Sequence, residues 1–492
     1  MLIKNSNHHP FSKDYRRGVR WSAVGAAGVA ILQLGQTVIF ARLAGPSAAG
    51  DYALAGAFMG FLLPLAEVGL SQAVVQARAV YPEQLRMLAR INFGLGAVVF
   101  VLLAWAGPML AGWYGRPALA GLLLLMSASL LVTPFGAMHG GLLVRAMRFE
   151  YIAKIEVLSW LGSSATVIGL AWAGWGAWAM AAGFLVRNVL ATFLVRLSFN
   201  HSGHPPILPL PDPPENVPPG GSAAVSPLLR FGFYDLASRW ADFLANYLDK
   251  LIVGKWLGAE ALGYYNMAFT FLVLPTGRLG YIINRTAFPI YARLQGEKAQ
   301  IQSFFERAGR DLVLLLFPVY MGLALFAREI VLLFFGENWL AAVPLFIAFG
   351  VAGLVRSMAA PFPELLKGLG RPRLLMVLML ALTVAFNTAL CLFLWKNPTP
   401  GAAAWSRVAA KFVFEIGMLI WAARRCGVDF VPTLRFAARL GLWLLPVGVA
   451  SWWGGLLPGG FWVLSGFKAV VFVGGLGIVA FFGPIKLRFP KF

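Results

Sequence analysis

The sequence predicts an all-α, polytopic membrane protein of about 14 transmembrane helices, arranged as two six-helix lobes and two further C-terminal helices. Three observations lead there. Of the 492 residues, 59% are hydrophobic and 12% are charged, where a soluble domain is about 45 to 50% apolar and about 25% charged. The basic residues fall on alternate connections along the chain. A short polar motif also recurs on either side of a long Pro-rich stretch.

Each crossing needs roughly 20 apolar residues, because a helix rises 1.5 Å per residue and the hydrocarbon core is about 30 Å thick. Runs bounded by Pro, Gly and charge place spans at 19–43, 51–75, 88–110, 118–140, 152–173, 175–198, 228–256, 262–290, 311–332, 341–361, 373–395, 402–423, 436–457 and 461–483. The first run is too long for the core of a signal peptide and holds Gln33 and Gln36, so it is expected to stay as a span. Residues 199–227 contain nine of the 30 prolines and should form a stiff cytoplasmic linker. The expected division is a lobe at 1–198, this linker, a second lobe at 228–425, and two additional helices with a tail at 426–492.

With alternating sides, most of the 41 Lys and Arg lie on the side of both termini, while the opposite side holds Arg42, Arg116, Lys255, Arg328 and Lys396. That asymmetry puts both termini in the cytoplasm. Cys391 and Cys426 suggest no disulfide framework, and no His or Cys spacing suggests a metal site or cofactor. The net charge of +21 is explained by membrane topology and calls for no nucleic-acid partner.

The motif Arg42-x-x-Gly45-x-x-x-x-Gly50-x-Tyr52 matches Lys255-x-x-Gly258-x-x-x-x-Gly263-x-Tyr265 at an offset of 213 residues. The same offset sets Gln33 on Asn246 and Gln36 on Asp249. This favours duplicated lobes in parallel orientation, which place a binding site at their interface.

Charges inside spans are costly, about 2.5 to 3.5 kcal/mol each at a lipid-facing position, so most must face a cavity, pair or snorkel. In the seventh span Asp235, Arg239, Asp242, Asn246 and Asp249 recur at steps of four and three and form one polar stripe. It reads either as a compensated ladder at a helix seam or as a cavity wall with a titratable or cation-binding carboxylate. In the twelfth span Arg407, Lys411 and Glu415 share a face; Glu415 can neutralise Lys411, which leaves Arg407 available. Arg187 and Arg278 lie mid-span and read as cavity residues, while Arg285, Arg356 and Lys468 lie near span ends and are expected to snorkel. Glu67 is either an acceptor for a neighbouring helix or a cavity acid. A cationic interior suits an anionic ligand, and Arg forks suit phosphate, which points to transport of a phosphate-bearing amphiphile.

The runs ARLAGPSAAGDYALAGAF and EVGLSQAVVQ, then LLVRAMRFEYIA, GWGAWAM and YLDKLIVGKWLGAEALGYYNMA, occur in an order and spacing similar to the Wzx-type polysaccharide flippases. These belong to the multidrug/oligosaccharidyl-lipid/polysaccharide exporter superfamily, and the chain resembles its exopolysaccharide exporter branch over roughly residues 15–425. The resemblance implies two six-helix bundles around a central cavity in the bacterial inner membrane. It also implies alternating access that moves an undecaprenyl-diphosphate-linked oligosaccharide to the periplasmic leaflet, coupled to H+ or Na+, beside polymerase and glycosyltransferase partners. On this reading Arg187, Arg239, Arg278, Arg407 and Lys411 hold the diphosphate. Asp235, Asp242, Asp249 or Glu67 carries the coupling ion, and Gln33, Gln36 and Asn246 add polarity to the cavity.

The competing reading on the same architecture is a cation-coupled multidrug exporter, which would favour an acidic or aromatic cavity. A membrane glycosyltransferase or polymerase fits poorly, because every outer connection is short. A major-facilitator carrier lacks support, since its expected basic signature is missing from QARAVYPEQLR.

Overall fold

The computed structural model describes residues 10–67, 74, 82–146, 148–201, 226–277, 287, 290–291, 293–454, 465–466, 468–474 and 476. Among them every regular element is a helix. In the first half α1 is Pro10–Glu67, α2 Pro82–Tyr114, α3 Ala118–Ser127, α4 Ser129–Val132, α5 Pro134–Arg145, α6 Phe149–Trp172 and α7 Ala177–His201. The second half begins with α8 Ser226–Pro275, α9 Lys298–Leu325, α10 Ala327–Ile330, α11 Val343–Ala359 and α12 Phe362–Gly368. It continues with α13 Pro372–Lys396, α14 Pro400–Ala410, α15 Ile416–Arg425 and α16 Val431–Gly454. The π-helical turn Lys411–Glu415 joins α14 to α15.

Seven of the described helices are long and apolar enough to cross a membrane, or up to eight if one bent pair is a single span. That pair, Ala118–Val132 and Pro134–Val144, meets at 56° where the expected fourth span breaks. Pro134 opens the second piece, since it cannot donate to the preceding turn. The apolar stretch Val24–Ala66 is 43 residues long, about 65 Å if straight and twice the hydrocarbon core. It is interrupted at Gly45, with φ 76° and ψ 177°, and α8 breaks in the same way at Gly258, with φ 83° and ψ 179°. The two pairs of spans expected at 19–75 and 228–290 are therefore joined by one glycine each, in a backbone region that is essentially closed to other residues. The α8 helix is not among the seven apolar spans, consistent with the charges along it. The expected span at 461–483 lies largely outside the described residues.

By internal contacts the chain forms two compact units, Met1–Gly254 and Lys255–Phe492. In the first, small residues let helices approach closely. A Cβ added to Gly25 would lie 2.7 Å from the Ala153 Cβ, and one on Gly183 would collide with Val167 Cγ2. The part of α8 before Gly254 packs within this unit: the Trp240 ring stacks on Phe61 at 5.4 Å, and its Nε1 donates to the Phe61 carbonyl at 3.1 Å. The contact boundary thus falls inside α8, whereas the sequence places the division at the Pro-rich stretch 199–227. Periodicity shows that a helix exists but not which bundle its aromatic side chains will join.

The second unit is organised by an aromatic core. Tyr265 meets Phe349 edge to face at 5.2 Å, and Phe271 meets Phe346 at 5.3 Å. Tyr320 lies fully buried against Gly353, where any side chain would collide with its ring.

Candidate functional site

The glycines and tyrosines matched at an offset of 213 residues hold corresponding places in the two units. Each unit carries a polar centre built from a tyrosine seven residues past the glycine break and an arginine from the sixth expected span of that half. In the first unit these are Tyr52 and Arg187, which are electrostatic neighbours. Arg187 on α7 is half-buried, its guanidinium 5.0 Å from the Trp160 ring and 5.9 Å from Phe184. The exposed carboxylate of Glu156, one turn before Trp160 on α6, is its charged neighbour.

In the second unit Arg407 Nη1 donates to the Tyr265 hydroxyl at 3.2 Å, and its guanidinium lies 4.7 Å over Phe269 and 5.6 Å from Phe386. It is only 7% exposed. The sequence leaves Arg407 available for a ligand; the structure instead encloses it in tyrosine and phenylalanine rings, a reasonable home for a weakly hydrated cation. Lys411 and Glu415, both buried, form the expected ion pair. The π-helical turn that carries them turns Phe412, Val413 and Phe414 outward while both charges stay inside.

Arg356 corrects a second expectation. It does not snorkel: its Nε donates to Thr276 Oγ1 at 2.9 Å. Thr276 in turn pairs with the Tyr320 hydroxyl, which also donates to the Leu272 carbonyl at 2.7 Å. The arginine therefore ends a chain of hydrogen bonds that holds the last turn of α8, where it passes into a π turn after Pro275. Arg356 and Arg407 both act electrostatically on Lys411, so the half-buried Arg356 joins buried Arg407, Lys411 and Glu415 in one cluster. Lys468 is likewise paired, with Glu329 at 2.7 Å.

The second repeat correspondence also holds as burial. Gln36 is buried and accepts from Ser164 Oγ at 3.0 Å, and its counterpart Asp249 is buried at 5% exposure, capping the Lys250 N–H at 2.9 Å. Gln33 is exposed. Lys250, which the sequence reading passed over, is a buried base beside Asp249 with its Nζ 4.4 Å from the Tyr247 ring. It adds a second base to the polar stripe, and its position next to Asp249 was the available signal. The side chains of Glu67, Asp235, Arg239, Asp242 and Asn246, together with Arg278 and Arg285, lie outside the described residues. Among the described residues no group of His, Cys, Asp and Glu could hold a metal ion.

Beyond the spans, Cys426 is half-buried in the turn after α15, and burial pushes its thiol above the usual range while the Arg371 guanidinium opposes the shift. Cys426 and Cys391 are both free thiols.

Comparison with known proteins places this geometry. The structure superposes on the lipid II flippase MurJ in an inward closed conformation with a TM-score of 0.73 at 15% identity, covering 93% of this chain and 98% of that one. The chain is 26% identical over 368 residues to the teichuronic acid biosynthesis protein TuaB of Bacillus subtilis, covering 73% of this chain and 72% of that protein. It is 28% identical to the lipopolysaccharide biosynthesis protein WzxC of Escherichia coli, covering 72% and 70%. Residues 39–344, more than half of the chain, match the polysaccharide biosynthesis protein family. The chain is a member of that family, on a fold shared with MurJ.

Proposed function

We propose that the protein flips a lipid-linked oligosaccharide, carried on undecaprenyl diphosphate, from the cytoplasmic to the periplasmic leaflet of the inner membrane. The observation that carries this reading is the family match over residues 39–344, joined to a membrane-embedded base, Arg187, that keeps a partly open face. A diphosphate leaving water needs charge-assisted hydrogen bonds, and a guanidinium supplies two in parallel. Arg187 is best suited to that contact, because Glu156 and Tyr52 hold it without enclosing it. Arg239 and Arg278 belong to the same proposal by their place on the spans, and Arg407 and Lys411 by the buried base cluster they form within the second unit.

Asp249, Asp235, Asp242 and Glu67 are the proposed carriers of a coupling proton or Na+. Such an ion biases transport only through different affinities for the two states of the carrier. Glycosyltransferases would supply the substrate and a polymerase would consume it.

The test is direct. A strain lacking the gene should accumulate lipid-linked repeat units on the cytoplasmic leaflet and keep its wild-type drug susceptibility. In proteoliposomes, the purified protein should expose a fluorescent undecaprenyl-diphosphate glycan to an external quencher faster than empty vesicles do. Equal rates would sink the proposal.

A further inference from the structure

Helices α9, α11 and α16 of the second unit line an open groove of about 790 Å³ that the proposed transport does not use. Its walls are apolar, including Phe317 and Leu325 of α9, Val351 of α11, and Ala438, Leu442 and Val449 of α16. Along α16 the lining runs from Ala438 to Val449, which at 1.5 Å per residue is about 17 Å. That is close to one leaflet, half of a hydrocarbon core about 30 Å thick.

One end of this groove is basic. Ala437, Leu440 and Leu444 of α16 pack into the core of the unit, while Arg435 and Arg439 are exposed and share a face with the exposed Trp443, each one turn further on. From α9, the Arg310 guanidinium lies 5.5 Å from the Phe436 ring at the same level. These stretches of the two helices carry Arg307, Arg310, Arg435 and Arg439 against Glu306 and Asp311 in the sequence, and Asp311 lies in the fields of Arg310 and Arg307. Bases outnumber acids where the groove reaches the headgroup level.

We infer that this groove binds an anionic membrane phospholipid, with its phosphate at Arg435 and Arg439 and an acyl chain along α16 between α9 and α11. Basic residues at the end of a cleft between transmembrane helices select anionic headgroups. The depth of the groove selects the occupant: an acyl chain ends within one leaflet, whereas a polyprenyl chain would overrun it.

The experiment purifies the full chain from membranes containing phosphatidylglycerol and phosphatidylethanolamine and identifies retained lipid by native mass spectrometry. Wild type should retain phosphatidylglycerol at least tenfold over phosphatidylethanolamine, and an Arg435→Gln/Arg439→Gln variant should lose that preference. A Cβ on Gly441 lies 3.6 Å from Phe317, an ordinary contact, so Gly441→Leu can fold while its side chain fills the groove. That variant should lose the lipid with both arginines intact. Added phosphatidylglycerol should also raise the melting temperature of the delipidated wild type but not of either variant, and inorganic phosphate should not substitute for it. Equal retention of both lipids, retention unaffected by the substitutions, or preferential retention of a polyprenyl phosphate would each overturn the inference.

Discussion

The two glycine breaks make a sharp prediction about stability. At Gly45, with φ 76° and ψ 177°, an added Cβ would meet nothing within 4 Å, so crowding contributes nothing to the effect of Gly45→Ala. What remains is backbone strain, about 1 to 3 kcal/mol for a residue forced into this glycine region. For a unit of this size that corresponds to a fall in melting temperature of about 2 to 12 °C. Gly56, eleven residues on, is helical and also has open space around its Cβ position. There alanine should stabilise by about 0.5 to 1 kcal/mol, because a helix favours alanine over glycine. The same substitution at two nearby positions in one helix should therefore act with opposite sign. Gly258→Ala should match Gly45→Ala, since its dihedrals differ by only a few degrees. Intrinsic fluorescence of the 17 tryptophans during a thermal ramp in detergent provides the measurement. If Gly45→Ala and Gly56→Ala melted together, the break would not be a constraint on the fold.

Two further outcomes follow from the polar centres and a third from the turn after α15. Tyr265→Phe removes the acceptor of a buried Arg407 N–H and should lower stability by about 1 to 3 kcal/mol. Tyr52→Phe should cost less, because its partner Arg187 is only half-buried; parallel melts compare the two. Lys411→Met or Glu415→Leu alone leaves a buried charge unpaired and should cost about 3 to 5 kcal/mol, while the double variant should recover most of that loss. A double-mutant cycle on melting temperature measures the coupling, and additive losses would show that the pair is not interacting. Cys426, whose thiol is pushed up by burial, holds less thiolate at neutral pH than an ordinary cysteine. In a Cys391→Ser background its alkylation should be slow at pH 7 and accelerate as pH rises. Arg371→Gln removes the cation favouring thiolate and should shift that acceleration to still higher pH, as a maleimide rate profile would show.

Much of this was written in the sequence. Hydropathy anticipated the seven or eight apolar spans found among the described residues, and the helical step of four paired Lys411 with Glu415 correctly. The match at 213 residues picked out both glycine breaks and both tyrosines before any geometry was known. The interiors were less legible. The π turn at Lys411–Glu415 lies in KFVFE, which contains no Gly or Pro to mark it. Arg356 looked like a snorkelling residue because its partner, Thr276, is 80 residues away in sequence. Arg407 looked available because an aromatic enclosure assembled from Tyr265, Phe269 and Phe386 leaves no periodic trace in any one segment.

The two tyrosine–arginine pairs have diverged in what surrounds them, and the divergence separates their roles. Arg187 is only half-buried and shares its space with an exposed carboxylate, so an incoming phosphate can replace one neighbour without stripping the guanidinium of all its contacts. Arg407 could meet a ligand only by giving up the Tyr265 hydroxyl and two aromatic rings, and by opening a cluster that also holds Lys411, Glu415 and Arg356. On the proposed function, Arg187→Ala should abolish export at near-normal abundance, with a melting temperature within a few degrees of wild type. Arg407→Ala should instead lower the melting temperature and the amount of protein in the membrane, with loss of export following loss of protein. Export per folded molecule, from complementation normalised to membrane abundance, separates the two. The reverse pattern, a stable Arg407→Ala protein without export beside an unstable Arg187→Ala, would mean that the enclosed copy is the one that handles cargo.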